Sequence, residues 1–191
     1  MTAAFVLGNG QSRSIIPLEK LRTWGPIYGC NAIYRDFLPT VLVSTDNPIS
    51  ERIQQEGLPT HVKHYTRRPI LHSGSLRIPQ EFYGYSSGPA ALGIASQDKN
   101  HEIWLLGFDI GPTSDNKFNN IYSDTEFYKK SSSKPTYTGN WIRQLSTIMK
   151  QFPLIQYRRV MGEGSTPIAE LEKLDNFETR TIQQLLDWIG R

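Results

Sequence analysis

The 191-residue sequence has a single cysteine, Cys30, which excludes an internal disulfide, and no histidine or second cysteine stands near it at the spacing of a zinc site. A buried, small, apolar role is expected for it. No apolar run approaches the roughly 20 residues that a bilayer-spanning helix requires, so no membrane span is expected. The opening Met1-Thr2-Ala3-Ala4-Phe5-Val6-Leu7 lacks a basic residue and runs directly into Gly8-Asn9-Gly10. It reads as a first strand rather than a signal peptide, and a cytoplasmic location is the expectation. Histidine is confined to His61, His64, His72 and His101. His61 and His64 would face opposite sides of a strand, and no metal site is expected. There is no Walker A loop, no complete Gly-x-Gly-x-x-Gly, no Gly-x-Ser-x-Gly elbow and no internal repeat.

Strong charge of one sign is also missing. Twenty-one Lys and Arg against 18 Asp and Glu leave a net charge of +3, and the basic pairs Arg67-Arg68, Lys129-Lys130 and Arg158-Arg159 are scattered. Nucleic-acid binders concentrate such residues in one stripe, so a small anionic ligand is the more economical partner. The pairs themselves are expected on solvated faces or strand edges; Arg67 and Arg77 have the chemistry to clamp a phosphate or carboxylate, but a surface role is the plainer expectation.

What is present is a hydrophobic content of 38% with 20% charged residues, the balance of one globular domain spanning 1–191. Short apolar runs recur at Ala4 to Leu7, Ile27 to Cys30, Val41 to Ser44, Val62 to Tyr65, Ile103 to Leu106 and Ile155 to Val160. They are mostly continuous rather than alternating, as in strands buried on both faces. Stretches of helical period lie between them, at Pro17 to Leu21, Ile49 to Glu56, Ala90 to Gln97 and Trp141 to Phe152. This alternation predicts an α/β fold, a Rossmann-like domain with a mainly parallel sheet flanked by helices. Terminal helices are expected within 166–190, at Ile168 to Leu174 and at Thr179 to Ile189, the second capped by Thr179. The polar stretch from Gly111 to Pro135 has no apolar period and reads as a lid.

The turn Gly8-Asn9-Gly10-Gln11-Ser12 follows a buried strand at once. Glycines there would let backbone N–H groups approach a phosphate, with Asn9 and Ser12 adding side-chain hydrogen bonds. Other strand ends also carry polar residues: Asn31, then Asp46-Asn47, then Asp109. In an open parallel sheet these ends share one edge, where ligands bind. Ser86-Ser87-Gly88, before a predicted helix, is a second anion-binding candidate.

The ordered set Gly8-Asn9-Gly10-x-Ser12, Gly29-Cys30-Asn31 with Tyr34, Asp46-Asn47-Pro48, Ser86-Ser87-Gly88, Leu106-Gly107-Phe108-Asp109 and Tyr137-Thr138-Gly139 resembles bacterial sialyltransferases of the Campylobacter type. It also resembles the wider Rossmann-like group that includes archaeal pterin diphosphokinases. The likeness runs over about residues 4 to 160. It implies a nucleotide-sugar site that needs no metal or other cofactor, in which Asn9 and Ser12 meet the phosphate and Asn31 and Asn47 the ribose or phosphate. Ser86 to Gly88 would hold base and phosphate, and Tyr122 or Tyr128 the leaving phosphate. The implied donor is a cytidine monophosphate sugar, transferred with inversion to the hydroxyl of a glycan or small acceptor. Where the family carries a base-forming histidine after Tyr-x-Gly, this sequence has Asn140. An amide takes up no proton near neutral pH. The expected function is therefore a sialyltransferase-like glycosyltransferase lacking that base, with Asp109 as a second catalytic candidate. The alternatives are a silent nucleotide-binding protein or a diphosphotransferase acting on a small alcohol, for which Asp46 and Asp109 are the strand-end carboxylates.

Overall fold

A computed structural model of the chain describes residues 3–190; the expectations for Met1, Thr2 and Arg191 lie outside the described residues. Eight strands among them form one sheet: β1 (Ala3–Leu7), β2 (Ile27–Cys30), β3 (Val41–Ser44), β4 (Lys63–Thr66), β5 (Leu76–Arg77), β6 (Glu102–Leu106), β7 (Gln156–Met161) and β8 (Phe177–Thr181). Every pairing is parallel and the order is β5-β4-β3-β2-β1-β6-β7-β8. The chain steps outward from β1 to β5, then returns across the sheet to lay β6 on the other side of β1. This reversal is the topological switch point of a Rossmann-like fold, and it places a crevice at the carboxyl ends of β1 and β6.

Continuous apolar strands need cover on both faces. All five residues of β1 are buried, and they alternate between two cores. Val6 and Leu105 face α3 (Ser87–Gln97) and α4 (Gly139–Gln151), together with Phe82, Leu145 and Ile148. Phe5, Leu7, Trp104 and Leu106 face the opposite layer, where α2 (Asn47–Gln55) contributes Ile49 and Ile53 and α6 (Ile182–Ile189) contributes Leu185. Two short helices, α1 (Leu18–Leu21) and α5 (Ala169–Glu172), complete the connections. No helix of the described residues is long and apolar enough to cross a membrane.

Two expectations are corrected. The helix expected from Thr179 begins at Ile182, and Thr179 instead pairs with Arg159 in the edge strand β8. The segment Phe177-Glu178-Thr179-Arg180-Thr181 has the alternating, β-branched pattern of a half-exposed strand, and Arg158 pairs with Glu178 across it. The helix cap is Thr181, in a reciprocal capping box with Gln184. The two-residue edge strand β5 carries too little sequence for periodicity to reveal it.

Candidate functional site

A cavity of about 290 Å³ occupies the crevice at the carboxyl edge of the sheet, with Gly8, Asn9, Gly10, Asn31, Asp46, Ser86, Ser87, Gly88 and Asp109 in its lining. Ser12, Asn47, Tyr122, Tyr128 and Asn140 are not part of that lining. The cavity lies at the small end of the range for ligand sites.

The turn after β1 is largely closed as a phosphate cradle, with Asn9 N as the N–H group that finds no acceptor among the described residues. Gly8 N donates to Leu106 O at 2.8 Å and Gly10 N to Gly107 O at 2.9 Å, so the turn zips onto the turn that leaves β6. Gln11 N and Ser12 N are also committed, to Asn119 Oδ1 at 2.9 Å and Asp109 Oδ2 at 3.1 Å. The glycines are needed for close approach: a Cβ on Gly8 would lie 2.5 Å from Gly107 O, and one on Gly10 2.4 Å from Asp109 Oδ2. Asn9 is likewise internal, donating from Nδ2 to Cys30 O at 3.1 Å and accepting from the buried Arg13 at 3.3 Å.

Asp109 is the centre of this closed half. It is 3% exposed, and its carboxylate accepts from Ser12 N, Ser12 Oγ, Asn119 Nδ2 at 3.1 Å and Ser165 Oγ at 3.2 Å. Ser12 therefore serves Asp109 rather than facing a ligand. The backbone beneath is clamped by Arg159, which donates to Phe108 O at 2.8 Å, Asp109 O at 2.8 Å and Thr166 O at 2.7 Å. Its expected place on a solvated face is corrected, because it is wholly buried. Burial pushes its guanidinium down to about 10, against the opposing attraction of Asp109 and Glu172, and it stays charged near neutral pH.

The opposite wall is open. Ser87 Oγ bonds Asn31 Oδ1 at 2.9 Å and accepts from Thr45 N at 2.9 Å, tying the ends of β2 and β3 to the start of α3. Asn31 sits at φ 52, a left-handed position that asparagine tolerates, and its Nδ2 has no protein partner among the described residues. Ser86 stands at the N-cap without a side-chain cap bond; its own N–H goes to Gln144 Oε1 at 3.0 Å. The N–H groups of Ser87 and Gly88 find no acceptor among the described residues, as the first turn of a helix dictates. Asp46 is exposed at the lip, and Asn47 opens α2 beside it.

The stretch from Gly111 to Pro135 contains no helix or strand but is tied down more firmly than its polar composition suggests. Ile121 N donates to Asn9 O at 2.8 Å, and Arg52 pairs with Glu126 at 2.9 Å. Tyr122 is buried, with Arg13 Nη2 donating to its hydroxyl at 3.4 Å, and the Tyr128 hydroxyl accepts from Ala32 N at 3.3 Å. Desolvation pushes both phenols above their usual range. These tyrosines pack 5.7 Å apart, centroid to centroid, in the second core layer. Asn140, in the first turn of α4, is exposed and accepts from Arg143 Nη2 at 3.2 Å.

Sequence reasoning missed Thr45, Trp141, Asn119 and Asn120, and it ranked Arg67, weighed as a phosphate or carboxylate clamp, below a surface role although its side chain lines the cavity. Thr45 adjoins Asp46 and was within reach of the strand-end argument; the Asn pair in an aperiodic loop carried no signal. Cys30 is buried as expected, and desolvation raises its thiol to about 12.

No family model and no curated protein sequence matches the chain. Among solved structures, the chain is similar to the sialyltransferase CstII from Campylobacter jejuni in complex with a substrate analogue, cytidine-5'-monophosphate. The likeness covers 83% of this chain and 79% of that one, with a TM-score of 0.53 and 13% sequence identity. It establishes a shared fold.

Proposed function

We propose that the crevice binds a nucleotide through its phosphate, with a cytidine monophosphate sugar as the donor, and that the chain is a sialyltransferase-like glycosyltransferase with weak acceptor activation. The observation that carries this reading is the open wall of the cavity. There Ser87 N, Gly88 N and Asn31 Nδ2 are polar donors without acceptors among the described residues, grouped at the carboxyl edge of a sheet whose fold is shared with a sialyltransferase solved with cytidine-5'-monophosphate. The closed half contributes shape and rigidity, and the stretch from Gly111 to Pro135 tightens over the bound nucleotide.

In the transfer step an acceptor hydroxyl oxygen attacks the anomeric carbon, the bond from that carbon to the phosphate oxygen breaks, and its electron pair stays on the phosphate. The hydroxyl proton needs an acceptor. Asn140 cannot provide one, and Asp109 already receives four hydrogen bonds. Asp46 is the cavity's carboxylate with no hydrogen bond or ion pair to its side chain among the described residues.

Asn140 is also the observation that favours a second reading, a binding protein that has kept the pocket and lost turnover. A diphosphotransferase fits less well, since only one of the two strand-end carboxylates is unencumbered for magnesium. Calorimetric titration with cytidine monophosphate, ATP and other nucleotides, with and without magnesium, tests the proposal. Preference for the cytidine nucleotide irrespective of magnesium supports it. Magnesium-dependent preference for ATP supports the diphosphotransferase instead, and indifference to every nucleotide overturns the nucleotide site.

A further inference from the structure

Arg67 follows β4 directly, and its side chain lines the cavity. The guanidinium is held along its side edge: Nε donates to Tyr83 O and Nη2 to Tyr85 O, both at 2.8 Å. Those carbonyls belong to the turn leading into α3, so the cation is fixed against the same segment that supplies the open helix start. A guanidinium offers five N–H groups in a planar fork, and this one uses two of them on neutral acceptors. Arg67 takes part in none of the ion pairs among the described residues. Its end-on edge, Nη1 with the outer N–H of Nη2, has no acceptor among them either. Asp109, by contrast, is enclosed by donors of its own. Asp46, the other carboxylate in the lining, makes no ion pair with Arg67 either, so among the described residues the cavity holds a rigidly mounted cation with no carboxylate bound to it.

We propose that Arg67 is the specificity-determining cation of this cavity and takes an anionic group of the ligand bidentately on the end-on edge of its guanidinium. The assignment rests on the cavity being a ligand site of the kind set out above. It adds the residue that selects negative charge at one place in the site, where the Asp46 carboxylate makes no ion pair. The two bonds to Tyr83 and Tyr85 fix the guanidinium plane before the ligand arrives, so little side-chain freedom is lost on binding. A phosphate of the nucleotide and a carboxylate elsewhere on the ligand present the same pair of oxygens to such a fork.

The test is calorimetric titration of native protein, Arg67→Gln and Arg67→Lys with four probes: cytidine, cytidine monophosphate, a cytidine monophosphate sugar bearing a carboxylate, and inorganic pyrophosphate. Thermal melting of each variant accompanies it. Arg67→Gln is expected to weaken at least one anionic probe by about 10- to 100-fold, the range for a charge-assisted bidentate contact, while cytidine is unaffected. Arg67→Lys, which keeps the charge without the fork, should retain part of the affinity. Loss for cytidine monophosphate assigns the phosphate; loss confined to the acidic sugar assigns the carboxylate. Equal weakening of cytidine and the anions, with lowered melting, would reduce Arg67 to a prop for the Tyr83 to Tyr85 turn and overturn the proposal. Nucleotide affinity indifferent to both substitutions overturns it too, while leaving the nucleotide site standing. Arg67-dependent pyrophosphate binding without any nucleoside or nucleotide binding does the reverse. Native protein that binds none of the four probes overturns both.

Discussion

The turn after β1 and the turn before α3 are built from the same small residues and face the same cavity, yet they end in opposite states. Around Gly8 and Gly10 most backbone donors are satisfied, by β6 and by Asp109 and Asn119; Asn9 N has no acceptor among the described residues. At Ser87 and Gly88 the backbone donors have no acceptor among the described residues. The difference lies in the neighbour. β6 runs alongside β1 and delivers Gly107, at φ 71, and Asp109 against the first turn. The start of α3 meets no backbone acceptor: Ser87 Oγ donates to Asn31 Oδ1 and accepts from Thr45 N, and the Phe108 ring lies beyond Gly88. A glycine after a strand therefore signals either close backbone packing or anion binding, and the fate of its N–H groups separates the two.

The largest effect that would break this contrast is expected from Gly10→Ala. Its methyl would meet Asp109 Oδ2 at 2.4 Å and Gly107 O at 2.7 Å, both held in place by other bonds. Forcing such contacts apart should cost about 2 to 4 kcal/mol of stability, measured by urea unfolding. Gly88→Ala meets only the edge of Phe108, at 3.3 Å, and should cost under about 1 kcal/mol. Equal losses at the two positions would erase the distinction between closed and open turns.

The same contrast explains what was legible in the sequence. The strands of the sheet interior, the parallel sheet and the carboxyl edge as the site all follow from continuous apolar runs and the polar residues that end them, as at Leu7-Gly8 and Leu106-Gly107. Which of those polar residues face a ligand does not follow, because it depends on strand order. Only with β6 set beside β1 do Ser12 and Asp109 meet, 97 positions apart in the chain. A solvated place for Arg159 was expected because a charged residue in a short strand ordinarily faces solvent, whereas here three carbonyls from two separate loops, Phe108-Asp109 and Thr166, converge on it. Tyr122 and Tyr128 sit in a segment without periodicity, so their burial was invisible; it is fixed by packing against each other and by contacts to Arg13 and Ala32.

Acid should act on the open side first. His64 is fully buried in β4, 2.6 Å from Ser44 Oγ and 2.8 Å from Ser75 Oγ. Desolvation lowers its pKa from 6.5 to about 4. The folded state thus holds the neutral ring while the unfolded chain binds a proton more readily. Stability from this group is complete above about pH 6.5 and is lost as pH falls toward 4, by up to about 3 kcal/mol. Urea unfolding between pH 4 and 7 should show that slope in native protein and a shallower one in His64→Gln. Identical slopes would remove His64 as the acid-sensitive element beneath Ser44 and Thr45.

A smaller pair of effects sharpens the comparison at the level of single side chains. Asn9→Ala removes two buried hydrogen bonds of the closed half, and Ser87→Ala removes the hydroxyl that holds Asn31 and Thr45. Each should cost about 1 to 2 kcal/mol of stability. Nucleotide affinity should fall further in Ser87→Ala than in Asn9→Ala, since the former unseats Asn31 with its free amide donor, whereas the Asn9 side chain is engaged in internal bonds. The reverse order, read by calorimetry, would return ligand contact to the first turn.

The smallest effect is expected at Asn140, which lies outside both turns. Its exposed side chain makes one bond, from Arg143 at 3.2 Å, so Asn140→Ala should change stability by less than about 0.5 kcal/mol. Nucleotide affinity and any native donor turnover should also be unchanged, because an amide there neither lines the cavity nor takes a proton. Asn140→His puts a group of unperturbed pKa about 6.5 next to Trp141, which does line the cavity. General-base catalysis typically contributes about 10² to 10⁴-fold. Displacement from the lining should hold the gain in Asn140→His to the low end of that range, with turnover rising as pH passes through about 6.5 and the ring becomes neutral. The measurement is donor turnover by native protein, both Asn140 variants and Asp46→Asn from pH 5 to 9. Native turnover abolished in Asp46→Asn and unimproved in Asn140→His would move the base to the lip of the open wall. Turnover lost in Asn140→Ala would show that the amide does touch the reacting hydroxyl, and would draw the first turn of α4 into the cavity.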